Sequence, residues 1–315
     1  MTRFPTRLLV AALLGACAFL PFGAAAAATS LCAATARHAS ADPRIHAAID
    51  EAWRQHRLFG GQRIERNGEL SRVGFHEAEW DRLPGEATPA WQRVAAFWQA
   101  LSPEQPPDVM TSAGRVDRSE AARAATGHAS TDAAVREALL RAAIVDTPWS
   151  AAFISYLLKE AGFSREEFAF SDTHADYIRA ALETSAAEAA GREAQHAFRA
   201  CDIATTPPRA GDLLCATRAG SAGIATFDAL AAAMAAQPDS QAFAMHCDLV
   251  VRSDEGGDAK IDAIGGNVVQ SVTLTRMTLN ASKVLGKRYF AGLPAPDGGA
   301  NIGRRPWVVL LQFRR

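Results

Sequence analysis

The feature that most restricts the fold is a change of hydrophobic period at Pro207-Pro208. Before it, apolar residues recur at helical spacing over 43–58 (Ile45, Ala48, Ile49, Ala52, Trp53), 90–101 (Val94, Ala95, Phe97, Trp98, Leu101), 131–144 and 148–162. After it come short apolar or alternating runs at 213–215, 243–251, 260–264, 268–277 and 307–313, interrupted by an Ala-rich helix over 226–236. Helices first and strands afterwards is the pattern of an α+β domain with an antiparallel sheet. Within the helical half, 62–75 reads as a hairpin, because Asn67-Gly68 supplies the positive φ angles of a tight turn. Residues 102–127, rich in Pro, Ser, Asp and Gly, read as a surface excursion. Ser171 or Asp172 can cap a further helix reaching toward Ala200.

The first 28 residues predict export. Arg3 and Arg7 precede an apolar run over 8–22 and a small-residue tract over 23–28, the three parts of a secretory signal peptide. The mature chain then starts near Thr29, in the periplasm or outside the cell. A second reading takes Leu14-Gly15-Ala16-Cys17 as a lipobox, and only lipidation of Cys17 would bring membrane contact. Cys32, Cys201, Cys215 and Cys247 remain after the leader and suit one or two disulfides in an oxidising compartment. If the strands carrying Cys215 and Cys247 are neighbours, those two pair and Cys32 pairs with Cys201. A net charge of −1 argues against a nucleic-acid partner. No Gly-rich phosphate loop, H-E-x-x-H or zinc-type spacing is present, so no cofactor and no metal are expected; His174 with Asp176 or Asp248 lacks ligand spacing.

The chemistry-bearing residues sit in three segments. In 148–162, Thr147 can cap, Pro148 suits a first helical turn and Gly162 a left-handed stop. Phe153, Ile154, Leu157, Leu158 and Ala161 form one stripe headed by Ser150, either a small packing residue or a nucleophile aimed inward. In 243–251, alternation sends Met245, Cys247, Leu249 and Val251 to one face and His246 with Asp248 to the other. Gly265-Gly266-Asn267 then breaks the following strand, where glycines permit close backbone approach. A hydroxyl on a helix start, an imidazole on a strand and an amide or carboxylate to orient it are the parts acyl transfer needs. His174 falls in the first turn of its helix, as a cap or as a site residue, and Trp149, His174 and Tyr177 are candidate substrate-binding residues.

The order PWSAAFISYLLKEAG, PRAGDLL, HCDLVV and IDAIGGN resembles the CHAP and NlpC-type cell-wall amidohydrolases. More closely, PWSAAFIS with SDTHADYI and HCDLVV resembles the bacterial domain-of-unknown-function family 2272. The resemblance implies a papain-like fold, an antiparallel sheet packed on a core helix, over 148–315, with 29–147 as a helical N-terminal part packed on it. It places Ser150 where those enzymes carry Cys, His246 at their His, and Asn267 or Asp262 at the third position. Where they often read I-E-G-N, this chain has Ile264-Gly265-Gly266-Asn267, so the acidic side chain is missing and Asp248 can substitute. A helix dipole contributes at most about 2 kcal/mol, too little to ionise a serine, so Ser150 would depend on His246 as general base. The expected function is hydrolysis of amide or ester bonds in cell-wall peptide or other envelope material; the alternative is an inactive envelope module that binds through the same groove.

Overall fold

The computed structural model describes residues 30–101, 129–290 and 301–315. The expected leader 1–28, with Cys17, and the excursion at 102–127 lie outside the described residues. The helices are α1 (Pro43–Leu58), α2 (Ala90–Gln99), α3 (Ala129–Asp146), α4 (Ser150–Glu160), α5 (His174–Ala189) and α6 (Phe227–Ala236). The strands are β1 (Gln62–Ile64), β2 (Leu70–Arg72), β3 (Phe198–Cys201), β4 (Leu213–Thr217), β5 (Met245–Ser253), β6 (Lys260–Val268), β7 (Ser271–Thr278) and β8 (Trp307–Phe313). They form one sheet in the order β2-β1-β7-β6-β5-β4-β8-β3, antiparallel except for the β1–β7 pair. The chain is α+β, as the change of period predicts.

Each face of the sheet carries a core. On one, α4 lies across β5 and β6 and is covered by α1 and α2. Its buried stripe, Phe153, Ile154, Leu157 and Leu158, is the one the spacing predicts. Phe97 of α2 wedges against it, its ring 5.2 Å from Phe153 and 5.6 Å from Trp149. Alternation along β5 puts Met245, Cys247, Leu249 and Val251 in this core and Val250 in the other, where Leu214, Ile261, Met277, Trp307 and Leu310 gather. Locally, α1 starts as its sequence dictates: the Asp42 carboxylate accepts the Arg44 N–H at 2.9 Å ahead of Pro43. Gly162 ends α4 with φ +86°, the left-handed stop.

Asp212 of the PRAGDLL turn ties β4 to the end of the chain. It accepts the N–H of Arg209 at 2.8 Å and of Phe313 at 2.9 Å. The disulfides join Cys215 to Cys247, directly opposed on β4 and β5, and Cys32 to Cys201. Both pairings are the ones expected. Among the described residues no helix is long and apolar enough to cross a membrane.

Four local expectations change, the first being that β6 runs through Gly265-Gly266-Asn267 to Val268 where the sequence predicts a break. The helix starting near Ser171 ends at Ala189 rather than near Ala200, because Gly191, at φ +66°, turns the chain out and Phe198–Cys201 pairs with β8. The cap of α5 is Thr173, without a side-chain bond; Ser171 Oγ instead donates to Asp176 at 2.6 Å and accepts the Thr173 N–H. Thr147 is not the cap of α4, which begins at Ser150 with Trp149 in the cap position. The 62–75 hairpin forms as predicted, and it belongs to the sheet: β1 runs parallel to β7, with Gln62 opposite Thr273.

Candidate functional site

The start of α4 is built by residues far from it in sequence. Trp149, in the cap position, offers no side-chain oxygen, and its own backbone N–H is held by Asn267, near the end of β6. The Asn267 amide is satisfied in one orientation: its oxygen accepts the Trp149 backbone N–H at 3.2 Å and its nitrogen donates to Glu77 Oε2 at 3.0 Å. Glu77 also accepts the Trp149 indole N–H at 2.8 Å. Burial raises the pKa of Glu77, and the indole bond partly offsets that. The approach of β6 to α4 explains the glycine pair. A Cβ on Gly266 would lie 2.5 Å from Phe153 Cβ, and one on Gly265 would run into the Asp248 carboxylate.

Ser150, at the head of α4, is 1% exposed. Its hydroxyl lies 2.7 Å from Nε2 of His174, at the head of α5. Tyr177, one turn further along α5, contacts Nδ1 of the same ring. Burial holds the Tyr177 pKa well above its ordinary value, so the phenol keeps its proton. Among the described residues that O–H has no other acceptor. Donating to Nδ1 avoids leaving it buried and unsatisfied, a cost of about 1–3 kcal/mol. His174 is then the Nε2–H tautomer, and it donates to Ser150 Oγ. The serine proton is left free to point elsewhere.

A second pair stands beside the first. His246, the second residue of β5, has its ring 5.3 Å from that of His174. Its Nε2 lies 2.7 Å from Oδ1 of Asp248, which shares its face of the strand as alternation predicts. The second oxygen of Asp248 takes Nη1 of Arg305 at 2.6 Å. Burial would raise the pKa of Asp248, but Arg305 and then His246 outweigh it and hold the carboxyl below its usual range. An ionised Asp248 accepts the Nε2 proton, which leaves Nδ1 of His246 as a bare lone pair. Among the described residues it has no hydrogen-bond partner.

Ser150, His174, His246 and Asp248 therefore meet at one place, and Trp149 and Tyr177 hold the elements that carry them. The expected direct bond between Ser150 and His246 is not made; His174 occupies that contact. Asn267 orients no imidazole, being committed to Trp149 and Glu77. Asp262, the alternative third member, lies near Arg252 and Arg276, at 3.9 and 4.0 Å, away from both histidines. Glu77 and Arg305 were not legible as site residues. Glu77 lies in no motif, and the only signal for Arg305 is a basic pair just before the last strand. No group of three or more metal-ligating side chains is found among the described residues.

A cleft of about 450 Å³ opens beside this cluster, lined by His246, Asn267, Arg218, Arg305, Val269 and Ile302 together with neighbours that include Ala216, Thr217, Ala219 and Ala222. Its floor is the β6–β7 turn, where Val269 and Gln270 have φ +50° and +60°. A β-branched residue at positive φ is strained, and such a conformation persists only when its surroundings fix it. Here Gln62 Nε2 donates to the carbonyls of Val268 at 3.0 Å and Val269 at 3.1 Å, and the Glu77 N–H to that of Gln270 at 2.9 Å.

The two imidazoles should stay neutral. Burial, then the charges of His246 and Arg218, press the His174 pKa well below 6.5; burial also lowers that of His246, with Asp248 opposing. In the unfolded chain both take up protons near about pH 6.5, so their contribution to stability is whole above that pH and is lost as pH falls below it. Asp212, raised by burial to about 6, acts with the opposite sign, so the imidazoles are best read directly. Heteronuclear NMR between about pH 7.5 and 5.5 should show both rings neutral; a midpoint near about 6.5 for either would refute the burial argument.

Fold and cluster together define an α+β protein with a serine at a helix start, two buried histidines and a buried aspartate beside an open cleft. The chain belongs to a bacterial family described as "Uncharacterized protein conserved in bacteria (DUF2272)", whose model matches residues 85–313. No curated protein and no solved structure matches it.

Proposed function

We propose that this protein is an exported hydrolase of papain-like type that cleaves an amide or ester in cell-wall peptide or other envelope material. The observation that carries the reading is the His246–Asp248 pair. Its proton is held on Nε2 by an ionised carboxylate, its bare Nδ1 stands beside the cleft, and Ser150 is one imidazole away. Ser150 Oγ attacks the carbonyl carbon while its proton crosses one water molecule to His246 Nδ1, which passes it to the leaving group; a further water molecule then attacks the acyl-enzyme, releasing the acid and restoring the Ser150 hydroxyl. His174 holds the serine oxygen through Nε2–H. The N–H groups of Ser150, Ala151 and Ala152, ahead of the first helical bond from Phe153 to Trp149 at 3.0 Å, are donors for the oxyanion. Two disulfides, with the leader-like first 28 residues, support export.

A second reading, an envelope-binding module without catalysis, is favoured by the burial of Ser150 beneath His174. A fluorophosphonate probe separates the two. The hydrolase forms a covalent adduct at Ser150 that is absent in Ser150→Ala and slowed by about 10²–10⁴-fold in His246→Ala. Folded wild-type protein that takes no label is the binding module.

A further inference from the structure

Arg218 stands apart from the other cleft cations. Arg305 is neutralised by Asp248 at 2.6 Å and its guanidinium lies 5.2 Å from the Trp307 ring centre. Arg218, the residue after β4, is exposed, lines the cleft, and has no hydrogen-bonding or ionic side-chain partner among the described residues. No Asp or Glu lines the cleft. Its wall therefore carries one unbalanced positive charge in a chain whose net charge is −1. That charge is close to the catalytic cluster, for it helps to depress the pKa of both His174 and His246.

The cleft also presents apolar surface. Val269 and Ile302 are 46% and 43% exposed, two of only a few large hydrophobic side chains left open to solvent among the described residues. Val269 sits there despite its positive φ, in a turn where Asn or Gly would be unstrained. Strain kept at the lip of a cleft, with the residue's apolar surface turned to solvent, is a sign of use in binding.

We infer that the cleft recognises a substrate with one free carboxylate, held by the Arg218 guanidinium, and a small apolar side chain resting on the apolar surface that Val269 and Ile302 provide. A planar fork of N–H donors suits a carboxylate. One unbalanced charge suits a monoanion better than a phosphate dianion. The inference builds on the proposed hydrolase by naming the substrate class of its cleft: a peptide or acylated amino acid cut next to a residue that bears its own carboxylate.

The test measures binding, so it does not depend on turnover. N-acetylalanine of either hand, its carboxamide and inorganic phosphate are titrated into the mature protein by ligand-observed NMR. At least one hand of N-acetylalanine should bind about tenfold or more tighter than its carboxamide and tighter than phosphate, the size of one charge-assisted hydrogen bond. Arg218→Gln should erase that preference and Arg218→Lys keep part of it. Equal binding of acid and amide, no binding of either, tighter phosphate binding, or a preference that survives Arg218→Gln in folded protein overturns the inference. A carboxylate preference in protein that takes no phosphonate label would leave the cleft as a carboxylate-binding site and remove only the hydrolase reading.

Discussion

Asp248→Asn should slow phosphonate labelling of Ser150 by about 10³-fold or more, although Asn has almost the same shape as Asp. Asp248 accepts from two donors, His246 Nε2 through one oxygen and Arg305 Nη1 through the other. Asn has a single oxygen, and Arg305 can only donate, so the amide oxygen turns to Arg305 and the NH₂ faces His246. The imidazole must then accept at Nε2 and carry its proton on Nδ1, where the lone pair is needed. The same change leaves the half-buried Arg305 facing a neutral amide, at a cost of about 1–3 kcal/mol in stability. Adding Arg305→Met removes the competing donor. The amide oxygen can then return to His246, and the double variant should recover both stability and part of the labelling rate. Equal labelling of wild type and Asp248→Asn would show that His246 is not the base.

Gly266→Ala should cost about 3 kcal/mol of stability, more than an exposed Gly→Ala change at a residue with ordinary φ would. The added methyl would lie 2.5 and 2.7 Å from Cβ and Cγ of Phe153 and 2.8 Å from Cζ3 of Trp149. Neither ring can yield, because Phe97 packs against both. β6 would have to withdraw from α4, taking Asn267 from the Trp149 N–H. Gly223→Ala, with nothing within 4 Å of its added methyl, is the control. Denaturant midpoints with an unchanged slope provide the measurement, and a loss under about 0.5 kcal/mol for Gly266→Ala would mean that the close approach is not structural.

What could be read from the sequence follows from the range of the forces involved. The stripe of α4, the faces of β5, the Asn67-Gly68 hairpin and the partnership of His246 with Asp248 are set by neighbours a few residues apart, and local spacing reveals them. Strand β3 was missed because Phe198–Cys201 becomes a strand only beside β8, more than a hundred residues later. Local spacing points Ser150 toward His246, whereas its neighbour in the fold is His174, for the same kind of reason. His174 and His246 are both plausible bases on local grounds, and only the packing of α5 against the start of α4 puts His174 in contact. Asn267 reads locally as a residue that could orient an imidazole, whereas its amide is committed to Trp149 and Glu77, and Glu77 lies in no pattern.

The parallel pairing of β1 with β7 has a consequence for when the site is made. Gln62 lies opposite Thr273, and its amide holds the carbonyls of the turn that forms the cleft floor. Contacts so distant along the chain close late in folding, since the loop entropy must be met before they contribute. Ser150 and His174, 24 residues apart, can come together early. The cleft cannot: its floor waits for a strand from near the beginning of the chain to join one from near the end. A folding chain would therefore bring Ser150 and His174 together well before it had a cleft beside them, and the N-terminal hairpin acts as the last clasp of the assembly.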